Sequence, residues 1–150
     1  MFTYDTSLFP FVHSRIVGAL TDEDLRVMTT MVDEFITRGG RYVTMSDGRG
    51  AVAPDIVMRR RISEVTKSLN ERTRDRHVAG CVIVGSRLLV GALTAIRWVV
   101  PSPSPERFTS SAAESVKYLR DAAATADLSL PPGVDDVAAR LDAEASRKAP

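Results

Sequence analysis

The chain has 150 residues, 44% of them hydrophobic and 26% charged, with a net charge of +1. That is enough chain for one domain burying roughly 70% of its unfolded surface, and the near-neutral balance excludes a global field for nucleic acid or an anionic membrane. A single cysteine excludes an internal disulfide, and neither a signal peptide nor an apolar run of about 18 residues is visible, so a cytoplasmic protein without membrane insertion is expected.

Phe2 to Leu8 reads as a short edge strand ending at Phe9-Pro10. Phe11 to Ala19 reads as a second strand, with Val12, Ser14, Ile16 and Gly18 alternating against His13, Arg15, Val17 and Ala19. Thr21-Asp22-Glu23-Asp24 opens a helix: Thr21 caps it, Asp24 returns the capping-box bond, and three carboxylates complement the positive end of the dipole. Leu25, Met28, Met31, Val32, Phe35 and Ile36 share one face of that helix, and Gly39-Gly40 ends it.

Tyr42-Val43-Thr44-Met45 reads as a third strand delivering a loop, Ser46-Asp47-Gly48-Arg49-Gly50. Pro54 fits the first turn of a second helix, with Ile56, Ile62, Val65 and Leu69 inward and Arg59, Arg60, Arg61, Lys67, Arg72, Arg74 and Arg76 on its other faces. This middle third is the electropositive part: residues 51–100 hold nine basic against four acidic side chains, and each flanking third is net −2.

Val78 to Gly85 is an unbroken uncharged apolar run, the mark of a strand buried on both faces. Ser86 then caps a helix from Arg87 to Val100, stopped by Pro101. Pro101-Ser102-Pro103-Ser104-Pro105 is a stiff connector and Arg107-Phe108-Thr109 a short strand. Ser111-Ala112-Ala113-Glu114 is a capping box for a helix that faces Val116, Leu119 and Ala123 inward. After Leu130-Pro131-Pro132-Gly133, the residues Val134, Val137, Ala138 and Leu141 form a small amphipathic helix ahead of a polar tail. Strand–helix alternation predicts an α/β domain over residues 1–128, with a four- to five-stranded, mainly parallel or mixed sheet covered by four helices. Its first two strands pair in parallel or as an edge hairpin. Residues 129–150 form the linker, short helix and tail.

Several of these residues together resemble a known family: Pro10, Gly18, Thr21-Asp22-Glu23, Asp47, Arg59 to Arg61, Cys81, Ser86, Gly91-Ala92-Leu93, Trp98, Pro103, Pro105, Phe108 and Glu114. Over residues 4 to 125 the chain resembles small bacterial STAS-like proteins, related in fold to anti-sigma-factor antagonists. The resemblance implies a non-enzymatic role in partner switching or ligand sensing. Antagonists of that kind carry Asp-Ser-(Ser/Thr)-Gly with a phosphorylated serine at a helix N-terminus. Here the corresponding stretch reads Met45-Ser46-Asp47-Gly48-Arg49-Gly50, a departure that argues against a phospho-switch.

The candidate sites each have a plain alternative. Ser46, Asp47, Gly48, Arg49 and Gly50 form a partner or ligand loop at the sheet end, or simply a turn; no Gly-Lys-Ser/Thr ending makes them a P-loop. Arg59, Arg60 and Arg61 form a basic partner surface, or a solvated face, since neighbours on a helix lie about 100° apart. His13 and His77 are isolated and suggest no metal. Ser86 lacks the glycine two residues on that a nucleophile elbow needs, and is read as a cap. Gly91 costs the helix about 1 kcal/mol, compensated by close helix approach. Leu89, Gly91 and Trp98 are either core or an apolar oligomer and partner patch. The expected function is therefore non-enzymatic, without cofactor or nucleic acid: a regulatory or scaffolding protein with protein partners and self-association. A small hydrophobic ligand or lipid-binding module is the alternative, and an enzyme without a recognisable motif the weakest reading.

Overall fold

The computed structural model describes residues 1–148, and among them one five-stranded sheet carries five helices. Strands β1 (Phe2–Asp5), β2 (Phe11–Gly18), β3 (Tyr42–Ala51), β4 (His77–Val84) and β5 (Glu106–Thr109) lie across the sheet in sequence order. β1 runs antiparallel to β2, with Phe2 opposite Ile16, and the other pairs are parallel, with Met45 between His13 and Cys81. The hairpin thus sits at the edge of a mixed sheet.

Because the parallel strands advance steadily in one direction, right-handed crossovers place every connecting helix on the same face. Helices α1 (Asp22–Arg38), α2 (Ile56–Thr73) and α3 (Arg87–Val99) are those crossovers. The opposite face is covered by α4 (Ala112–Thr125) and α5 (Val134–Lys148). On that second face Phe11, Met45, Cys81 and Ile83 meet Val116 and Leu119 of α4 and Val134, Ala138 and Leu141 of α5 in the main core. The crossover face holds a smaller core of Val12, Val32, Phe35 and Tyr42, with Leu69 against it.

Local signals explain most boundaries. Thr21 makes the full capping box with Asp24, whose other oxygen accepts from Phe2 N–H at 2.6 Å and so ties the edge strand to α1. Ser86 Oγ accepts from Leu89 N–H at 3.2 Å. At α4 the expected box is displaced: Ser111 caps Glu114 N–H, but the Glu114 carboxylate accepts from Ser110 N–H at 2.9 Å. Asp55 rather than Pro54 heads α2, accepting from Met58 N–H at 2.8 Å. Ile56 follows it and is 79% exposed, so it does not face inward as its spacing suggested. α5 runs through the expected polar tail, and its apolar face completes the main core.

The largest correction is at Ser46 to Gly50. These residues are not a loop but the second half of β3, paired to β2 on one side and to β4 on the other. Neither Gly48 nor Gly50 takes a positive φ. What Gly48 provides is room, because a Cβ there would lie 3.1 Å from Ile83 O and 3.3 Å from Leu89 Cδ2. Gly85 does the same at the end of β4, where a Cβ would come within 2.8 Å of Arg49 O. The two strand ends close together, and the first turn of α3 settles onto them.

Candidate functional site

The predicted residues end up in three places. Ser46 to Gly50 lie inside the sheet, where their side chains serve the fold. Ser46 Oγ is 2.9 Å from Ser14 Oγ on the crossover side. Asp47 points to the other side, 3% exposed, and accepts from Arg49 Nε at 3.0 Å and Nη2 at 2.9 Å. Arg49 also donates to Asp142 Oδ1 at 2.7 Å, and Asp142 in turn accepts from Ala112 N–H at 2.9 Å and Ala113 N–H at 3.0 Å. A carboxylate on α5 therefore caps α4 while an arginine of β3 bridges two carboxylates. Burial alone would raise the Asp142 carboxyl, but the two N–H groups and Arg49 outweigh it and hold it below the ordinary range. The Arg49 guanidinium is pushed up, first by its bonds to Asp47. Ser46 is thus not at a helix N-terminus; the first position ahead of α2 is Asp55, and the phosphoserine arrangement does not carry over.

The three arginines divide. Arg61 pairs with Asp22 across to α1, as Arg72 does with Asp33 one surface further along. Arg59 donates from Nε to Pro54 O at 2.9 Å, and Arg60 pairs with Glu64 one turn on at 3.2 Å. Only Arg59 and Arg60 face the groove that separates α2 from α3, a space of about 970 Å³. Its α2 wall carries Arg59 and Lys67 with Glu64 and Glu71, followed by Arg74 just past the helix, and its α3 wall is apolar, with Ala95, Ile96 and Val99 and, beyond the helix end, Pro101.

The third place is the outer face of α3. Leu89 is 5% exposed and packs beneath the helix, so it is no part of a surface patch. Trp98 is 83% exposed and is not core, and Gly91 approaches nothing: a Cβ on it would meet no atom within 4 Å among the described residues. The packing role expected for both is corrected accordingly. Leu88, 78% exposed, and Val99 stand on the same outer side. Val52, Ile56 and Val57 are exposed as well, where β3 ends and α2 begins. Sequence reasoning missed these positions because α3 is apolar almost all round, so periodicity alone does not say which side meets the sheet.

Two histidines complete the inventory. His77 Nε2 is 2.8 Å from Thr44 Oγ1 and Nδ1 is 2.6 Å from Ser104 Oγ, so a neutral ring pins the Pro-rich connector to the sheet. Burial pushes its pKa down to about 4. His13 stacks on Phe11 and is also lowered by burial. Among the described residues no three His, Cys, Asp or Glu side chains converge as metal ligands do, and no helix is long and apolar enough to cross a membrane.

The chain aligns, over 79% of its length and 92% of the other's, with the crystal structure of an uncharacterised DUF3478-family protein from Shewanella loihica described as having a SpoIIAA-like fold. The TM-score is 0.56. The fold is SpoIIAA-like. At 16% sequence identity the likeness concerns the STAS architecture alone. No family model matches the sequence, and no curated protein does.

Proposed function

We propose that this SpoIIAA-like chain is a non-enzymatic cytoplasmic regulatory or scaffolding protein that works by protein–protein contact, through partner switching or self-assembly. One observation carries the reading: Ile56, Val57, Leu88, Trp98 and Val99 are exposed on the crossover helices, although the other face of the same sheet buries its apolar residues almost completely. Clustered exposed apolar side chains mark interaction surfaces more often than chance. Arg59 and Arg60 border the same region and favour an acidic partner. The test is capture from the source cell with wild-type protein, with Ile56→Asp/Val57→Asp, and with Arg59→Glu/Arg60→Glu. The first variant is expected to lose the specific partner with unchanged circular dichroism, and the second to weaken it. Retention of the same partner by both would end this reading.

The α2–α3 groove supports a second reading, a small hydrophobic ligand module, since its volume is that of a ligand site and its α3 wall is apolar. Native mass spectrometry of purified protein separates the two. A bound mass that disappears in Ala95→Trp supports the ligand, and a clean apo mass removes it.

A further inference from the structure

We infer that the outer face of α3 is a two-fold contact between two copies of this chain, with the helices antiparallel and the axis level with Leu93. The inference rests on the self-assembly side of the proposed function and gives it a place and a register.

The spacing on that face is symmetric. Leu88 and Trp98 lie five residues either side of Leu93, and Gly91 and Ala95 two residues either side. An antiparallel pair centred there sets Leu88 of one copy against Trp98 of the other and Gly91 against Ala95. In these two pairs a large apolar side chain meets a large one and a small residue a small one, while Val99 falls at the rim opposite Arg87. An isologous interface requires such self-complementarity. Gly91 then has the function that the monomer denies it: a helix-interior glycine costs about 1 kcal/mol, and within its own chain it makes room for nothing among the described residues. Small residues at the crossing let two helices approach to about 8 Å, the short end of the usual range.

Charge agrees with the arrangement. No carboxylate occurs between Arg87 and Val100, so the pairing strands no acid in an apolar contact. Arg97 is turned away, 2.8 Å from Glu106 and stacked over Phe108. Arg87, five residues plus one from the axis, lands opposite Val99 of the second copy, where the last carbonyls of that helix carry the negative end of its dipole. The exposed parts of Leu88, Trp98 and Val99 amount to on the order of 400 Å² per copy, about half of what a standard interface buries on each side. A contact of that size makes a reversible dimer rather than an obligate one.

Sedimentation velocity of the full chain from about 1 to 300 µM tests it. Wild-type protein is expected to move from monomer to dimer across that range, with the emission of its one tryptophan, Trp98, shifting to the blue in step. Gly91→Leu keeps the fold, because its position is open and helical, and is expected to weaken the dimer at least about tenfold; Trp98→Glu does the same. A monomer at every concentration overturns the inference, as does a dimer that both variants leave intact. A protein that stays monomeric while Trp98 shifts only on anionic phosphatidylglycerol vesicles also overturns it and assigns the face to lipid. Wild-type protein that never dimerises yet still captures a cellular partner would leave the proposed function standing without this inference.

Discussion

The two faces of the sheet use their apolar residues in opposite ways. Against α4 and α5, fourteen buried residues form one continuous core, and the polar groups that reach it are tied off by Asp47, Arg49 and Asp142. Against α1, α2 and α3 the continuous cluster among the described residues is Val12, Val32, Phe35 and Tyr42, with Leu25, Leu89, Ala92 and Ile96 buried outside it; a groove separates two helices, and the largest aromatic of the chain stands in water. Stability is concentrated on one side and recognition surface on the other. That division lets the exposed face change without unfolding the molecule.

If the division is real, the largest losses come from the closed face. Leu119→Ala removes a fully buried side chain and is expected to cost about 4 kcal/mol in urea unfolding; a loss under 1 kcal/mol would show that this face is loosely packed. Arg49→Ala leaves Asp47 buried without its partner and uncouples α5 from β3, for an expected loss of about 3 kcal/mol and a Tm lower by roughly 10 °C. Calorimetry would read it directly, and an unchanged Tm would reduce the Asp47–Arg49–Asp142 bridge to ornament.

His77 provides a pH handle between the layers. Its folded pKa, about 4, lies below the unfolded value near 6.5, so the unfolded chain binds the extra proton in between. Stability is complete above that unfolded value and falls as pH drops toward 4, by about 2 kcal/mol at pH 5. The depressed carboxyls of Asp24 and Asp142 act further down, below about pH 4. His77→Gln should flatten the slope between pH 7 and 5; an identical slope would mean that His13 carries it. The open face gives the smallest effects. Gly91→Ala is expected to stabilise the monomer by up to about 1 kcal/mol, and Ile56→Ser to move it by less than about 0.5 kcal/mol while changing what the protein captures. A destabilisation of 2 kcal/mol from Ile56→Ser would erase the contrast.

What the sequence made legible follows the same line. Thr21 and Ser86 were readable because a cap is decided by its own few residues. The uncharged run of Val78 to Gly85 announced a central strand because burial on both faces leaves no polar position. Ser46 to Gly50 misled because Asp and two glycines favour turns locally, whereas two flanking strands supplied a ladder on either side and Gly48 and Gly85 were required for close packing. Trp98 and Ile56 misled for another reason: a helix carrying apolar residues on more than one side does not encode which side meets the sheet. Asp142 gave no signal at all, since its partners, Arg49 and the first turn of α4, lie 93 and about 30 residues away.

That last connection bears on how the chain acquires its structure. Arg49 to Asp142 and Arg15 to Glu144 close loops of 93 and 129 residues, and both are made by α5. Contacts so distant in sequence slow the search for the native state. During synthesis the main core stays incomplete until Val134, Ala138 and Leu141 of α5 join it. Variants at Leu141 or Asp142 are accordingly expected to lower the yield of folded protein by more than their effect on equilibrium stability.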